Sequence, residues 1–216
     1  EFGETYHKIE DSNVENQHLQ ILVSGRVEAE NWNSNDDKAD FFFIKEKVEH
    51  ILNRLGVKKI KSESINTFGF SEGLMYTSKK KRLVCFGKLD KKLCKAFGVK
   101  SDVYAADFNW DLILELSGCN KIKYQEVSKF PEVRRDLSLL IDKSVSFDEL
   151  QKIAQRTDNK ILKSVNLFDV YEGDKVPEGK KSYALSFIMA DETKTLTDNY
   201  VDKVMKKLMD SFKEQA

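Results

Sequence analysis

Apolar residues recur along this chain with two different periods. In residues 40–56, DFFFIKEKVEHILNRLG, the side chains of Phe41, Ile44, Val48, Ile51, Leu52 and Leu55 fall three and four apart, which predicts an amphipathic helix with that stripe in a core. Asp40 offers a side-chain acceptor to the first turn, and Gly56 ends the helix because glycine tolerates the left-handed backbone there. The runs HLQILVSGRV (18–27), RLVCFGKL (82–89) and VYAADFNWDLILEL (103–116) are rich in β-branched and aromatic residues and predict strands, with DKKLCKAFGV (90–99) as a short helix between the last two. Strands mixed with helices in this order predict an α/β layer.

The pattern changes near Gly118. SGCNKIKYQEVSKFP (117–131) follows no clear period, and Pro131 biases Phe130 toward extended backbone, so a domain boundary is expected here, dividing residues 1–122 from 123–216. Beyond it the periods predict a strand (133–142), a helix (147–156), two strands (161–172 and 182–191) and a second helix (198–213). Ser146 and Glu149 have the spacing of a capping box, and Val145 is placed to pack on Leu150; Thr197 caps the last helix, with Leu196 placed to pack on Val201. The order βαββα, with two helices on one face of an antiparallel sheet, predicts a ferredoxin-like domain, so the whole chain is expected to be α+β. That fold calls for one more strand after KEQA, and we expect the chain to be a piece cut from a longer one.

Composition narrows the function classes. Hydrophobic residues make up 40% and charged residues 33%, enough apolar material for folded cores and too much for a disordered chain. Lys+Arg and Asp+Glu number 36 each, so no overall positive field draws in nucleic acid or an anionic membrane, and any such binding has to be local. Three widely spaced cysteines without a CxxC pair predict free thiols in a reducing cytoplasm. No apolar run approaches the roughly 18 residues of a membrane span.

Gly69-Phe70-Ser71-Glu72-Gly73 matches the G-x-S-x-G of hydrolase nucleophile elbows, but a turn and a strand are predicted after it where that motif needs a helix. His7, His18 and His50 lack a partner at metal-ligand spacing, so no metal site is expected, and the chain contains no G-x-G. KKKR (79–82) falls between two predicted strands and is read as a solvated hairpin turn ahead of a nucleic-acid patch. The sheet of the second domain offers more. Strand parity places Leu137, Leu139 and Ile141 on one face and Arg134, Asp136, Ser138 and Leu140 on the other. In the third strand the small set, Ser182, Ala184, Ser186, Ile188 and Ala190, should face outward, and if Phe168 and Val170 point inward then Asp169 and Tyr171 emerge beside it. An open sheet bearing an aromatic ring, carboxylates and hydroxyls suits single-stranded RNA, and a plain hydrated face remains the alternative from pattern alone.

KFPEVRRDLSLLID, SVNLFDVYEGDKVPEGKKSYALSFIMADETKTLTD and the helix that follows resemble the ferredoxin-fold anticodon-binding domain at the C-terminus of bacterial phenylalanyl-tRNA synthetase beta subunits. The opening EFG, HLQILVSGRVEAENW, DFFFIKEKVE and VYAADFNWDLIL are similar to the noncatalytic class II synthetase core-like domain just upstream of it in that subunit. The resemblance implies tRNA anticodon recognition and structural support within a phenylalanine-tRNA ligase, whose alpha subunit performs the ATP- and magnesium-dependent aminoacylation in an α2β2 heterotetramer. It implies no cofactor in this chain and no catalytic activity of its own. Arg134, Arg135 and Lys181 are then expected at tRNA phosphates, and Asp136, Ser138, Asp169, Tyr171, Ser182 and Ser186 on the anticodon side of the sheet. A domain that docks only to other synthetase domains, without reading RNA, is the competing expectation.

Overall fold

The structure is a computed structural model that describes residues 1–9, 11–33, 37–65, 69–117, 124 and 126–215. It divides into two compact units, Glu1–Lys123 and Tyr124–Ala216. The boundary expected after residue 122, most of the segment leading to it, and Cys119 lie outside the described residues.

In the first unit six antiparallel strands lie in the order β1-β2-β6-β5-β4-β3. They are β1 (Phe2–Ile9), β2 (Ser12–Ser24), β3 (Lys61–Ser64), β4 (Phe70–Ser78), β5 (Lys81–Leu89) and β6 (Val103–Asn109), with helices α1 (Phe41–Arg54), α2 (Lys91–Ala96) and α3 (Trp110–Ser117). The helix expected after Asp40 is α1: Asp40 Oδ1 accepts from the Phe43 amide at 2.8 Å, and Gly56 follows the helix at φ 69°. Its Ile44, Val48 and Leu52 are buried against Tyr76, Val84, Phe86, Ala106 and Phe108.

The strand expected over 103–116 is corrected. It ends at Asn109, whose side-chain oxygen accepts from the Leu112 amide at 3.1 Å and so caps α3. Leu112 and Ile113 then turn into the same core as α1, which a straight strand would have divided between two faces. β2 starts six residues ahead of the predicted strand, because its first half pairs with β1, and stops at Gly25, which has φ 88°.

The G-x-S-x-G run is no nucleophile elbow. Ser71 stands on β4, where its hydroxyl donates to the Lys88 carbonyl at 3.3 Å. Cys85 and Cys94 are buried free thiols, and burial pushes the Cys85 thiol pKa up.

The second unit is βαββα: β7 (Val133–Asp142), α4 (Phe147–Thr157), β8 (Leu162–Tyr171), β9 (Lys180–Met189) and α5 (Asp198–Gln215), with sheet order β7-β9-β8. The capping box is formed: the Ser146 amide donates to Glu149 Oε2 at 2.8 Å and the Glu149 amide to Ser146 Oγ at 3.3 Å. At α5 the Thr197 carbonyl accepts from the Tyr200 and Val201 amides, and Leu196 and Val201 are buried in one core. That core collects Leu150 and Ile153 of α4, Val204, Leu208 and Phe212 of α5, and Leu185 and Phe187 of β9. Both helices therefore cover the same side of the sheet, and among the described residues the other side bears no helix of this unit.

Candidate nucleic-acid interface

Cross-strand register assembles the helix-free face row by row. Arg134, Ile188 and Ser164 form the first row; Asp136, Ser186 and Asn166 the second; Ser138, Ala184 and Asp169 the third; Leu140, Ser182 and Tyr171 the fourth. Seven of the expected residues meet here: Arg134, Asp136, Ser138, Asp169, Tyr171, Ser182 and Ser186. Ser138 Oγ lies 3.2 Å from Ser182 Oγ, while Ser186 is buried at 4% exposure beneath its neighbours.

Arg135 and Lys181 are not part of that face. Alternation sends each to the side opposite Arg134 and Ser182. Arg135 Nη2 donates to Asp198 Oδ1 at 2.6 Å, at the start of α5. Lys181 is only 7% exposed; its Nζ donates to the Lys143 carbonyl at 3.0 Å and stands 4.5 Å from the Tyr183 ring centroid.

Phe168 is the residue that pattern misplaced. The β8–β9 register shifts between Leu167 and Asp169, so Phe168 is an extra residue and strict alternation fails around it. Its ring, half exposed, lies under the Arg134 guanidinium at 5.4 Å. Arg134 in turn holds Asp136 in a fork, Nε to Oδ1 at 2.9 Å and Nη2 to Oδ2 at 3.2 Å, and this carboxylate raises the arginine's pKa. No period in the sequence marks a bulge. The only available signal is an aromatic beside an aspartate in a strand whose face was ambiguous.

Tyr171 is positioned from below. A Cβ on Gly173 would run into its phenol, so glycine at that position leaves room for the ring. The assembled face offers two rings for stacking, carboxylates that accept from base amino groups, and hydroxyls that donate or accept. Its one arginine is already neutralised by Asp136. Charge-driven capture of phosphate is therefore weak on this face, and recognition of base edges is what it can do. Among the described residues no group of three or more His, Cys, Asp or Glu is placed to hold a metal ion, and no helix is long and apolar enough to cross a membrane. His18 instead ties strands together, bonded to Thr5 Oγ1 at 3.0 Å and Asp107 Oδ1 at 2.9 Å.

Two family models match the chain. Residues 128–216 match the ferredoxin-fold anticodon binding domain, and residues 1–110 match the phenylalanyl tRNA synthetase beta chain CLM domain. The chain is 41% identical, over its whole length, to the phenylalanine-tRNA ligase beta subunit of Bacteroides thetaiotaomicron, and covers 28% of that protein. It is 34% identical to the corresponding subunit of Porphyromonas gingivalis over 94% of its own length and 25% of that subunit. With Clostridium acetobutylicum the identity is 38% over 79% of the chain and 22% of the relative. The chain thus spans about a quarter of the length of these relatives. It belongs to the phenylalanyl-tRNA synthetase beta chain family, with a CLM unit followed by a ferredoxin-fold anticodon binding unit.

Proposed function

We propose that the helix-free face of the second sheet reads the anticodon of phenylalanine tRNA, and that the chain serves as the anticodon-recognising part of a phenylalanine-tRNA ligase. The observation that carries this is the gathering, on one open face, of the Arg134–Asp136 fork over Phe168, the Asp169 carboxylate and the Tyr171 ring. Aminoacylation, with its ATP and magnesium, falls in this reading to the alpha subunit, and the first unit supports the assembly with it.

Tyr171 stacks on a base, while Asp136 and Asp169, which repel phosphate, accept hydrogen bonds from base edges. The test is binding of the protein to a stem-loop bearing a phenylalanine anticodon and to versions with each anticodon base replaced. Tyr171→Ala should weaken binding by about 1–3 kcal/mol. Asp169→Ala should narrow the difference between correct and substituted anticodons more than it lowers affinity. If both variants fold and leave affinity and preference unchanged, the face is ordinary hydrated sheet, and a role confined to docking other synthetase domains takes its place. The chain incubated with ATP, phenylalanine and tRNA, free of alpha subunit, should form no aminoacyl-tRNA.

A further inference from the structure

The first unit carries a charged feature that base reading leaves unused. Lys61 of β3, Thr77 of β4 and Arg82 of β5 stand side by side across three strands. Lys79 and Lys80 form the two-residue turn between β4 and β5, and Lys59 stands just ahead of β3. Together these five cations line a depression of about 350 Å³ whose one carboxylate is Glu63. Arg82 also faces Asp107, at 3.5 Å. Lys59, Lys61, Lys79 and Lys80 make no ion pair among the described residues.

The backbone singles out the same place. Among the described residues, the non-glycine positions with positive φ are Lys59 at 60°, Lys79 at 50° and Lys80 at 65°, and all three line this depression. A two-residue hairpin turn with both φ values positive favours Asn-Gly, because those residues adopt the left-handed region most easily. Two lysines there are poor turn formers. They add two ammonium groups to a depression already lined by Lys59, Lys61 and Arg82, so cations outnumber its one carboxylate, Glu63, five to one. Since the chain as a whole has no net charge, this field is local to the depression.

We propose that this basic depression binds the phosphodiester backbone of RNA, independently of base sequence. The proposal rests on the reading of the chain as an RNA-binding protein, and the second sheet is the reason to favour RNA over an acidic protein. In protein–DNA complexes half or more of the hydrogen bonds go to the backbone, and releasing counterions from phosphates supplies a large share of affinity for either nucleic acid. The base-reading face has one arginine, held by Asp136, and so supplies little phosphate neutralisation of its own. Lysines, as strongly hydrated point charges on flexible stems, suit an interaction that need not discriminate.

The experiment uses Lys79→Gly/Lys80→Gly, which removes two charges and supplies the residue that this turn conformation prefers. Binding of the 216-residue chain to a labelled RNA hairpin with an arbitrary loop, and to the phenylalanine anticodon stem-loop, is followed by anisotropy across a salt series. The double variant should bind both RNAs several-fold more weakly at low salt. The slope of log K against log salt should fall by about 0.7–0.9 for each phosphate that is no longer neutralised. Preference among anticodons should not change. Unchanged affinity and slope in the folded variant would overturn the proposal. So would binding of a poly-glutamate peptide that the variant loses while its RNA binding is intact, which would assign the depression to an acidic protein. Failure of anticodon reading looks different: wild-type chain would show no anticodon preference and Tyr171→Ala no effect, whereas the salt slope would still respond to the turn variant.

Discussion

Tyr171 and Gly173 form a pair in which the smaller residue sets the usefulness of the larger. Because a Cβ at position 173 would occupy the space of the phenol, Gly173→Ala should turn the ring away from its stacking position. The expected result is an anticodon affinity lowered nearly as far as in Tyr171→Ala, with little change in the urea midpoint, since Tyr171 is 42% exposed and contributes modestly to the core. Phe168 acts on the same scale through Arg134. An exposed cation over an aromatic ring is weakly held by the ring's negative face, and Phe168→Ala both loses that attraction and loosens the Arg134–Asp136 fork. Asp136 is then expected to discriminate bases less sharply, measurable with the same substituted stem-loops.

Two elements make opposite demands on stability. The start of α4 is optimised for it. The Ser146 amide and hydroxyl both donate to Glu149, whose carboxyl is held below the usual range chiefly by the amide bond. A carboxylate with a lowered folded pKa contributes stability that is full above its unfolded pKa and is lost as pH falls through the folded value. Glu149→Gln should therefore be less stable than the parent at neutral pH, and the two denaturation midpoints should converge as pH drops below the ordinary glutamate range. Ser146→Ala removes the other half of the box and should cost about 1 kcal/mol at neutral pH. The β4–β5 turn behaves in the contrary sense. Left-handed backbone costs an L-residue roughly 1–2 kcal/mol, so replacing Lys79 and Lys80 by glycine should raise the melting temperature of the first unit while lowering RNA affinity. A gain in stability joined to a loss in binding marks residues retained for function.

At the scale of the molecule the two units have separate cores that share no residue among the described ones. A cavity opened in one should be felt in that unit alone. Leu208 of α5 is fully buried, and Leu208→Ala should destabilise the second unit by about 2–5 kcal/mol. Hydrogen exchange would show the loss in β7, β8, β9 and the helices over them, with protection of Phe86 and Phe108 in the first unit unchanged. A uniform loss over both units would mean that they unfold as one body. Each unit also corresponds to a separate family match, residues 1–110 and 128–216.

Local chemistry determined much of this protein without help from the fold. The stripe from Phe41 to Leu55, the Asp40 cap, the capping box of Ser146 and Glu149 and the βαββα order all depend on neighbours a few residues away, and the structure contains each of them. Strand alternation likewise placed Asp136, Ser138 and Ser182 on one face, since period two is a property of the backbone itself, whereas Asp169 and Tyr171 reach that face through the bulge at Phe168. What required tertiary structure was whatever depended on a partner strand or a packing surface. The bulge that turns Phe168 outward exists only against β9, and the partners that hold Arg135 and Lys181, Asp198 and the Lys143 carbonyl, are supplied by the fold. α3 departs from an apolar run only because Asn109 caps it and the core lies to one side. The basic depression draws on residues 59 to 82, spread over a loop, two strands and a turn, and it took the pairing of β3, β4 and β5 to set those charges side by side.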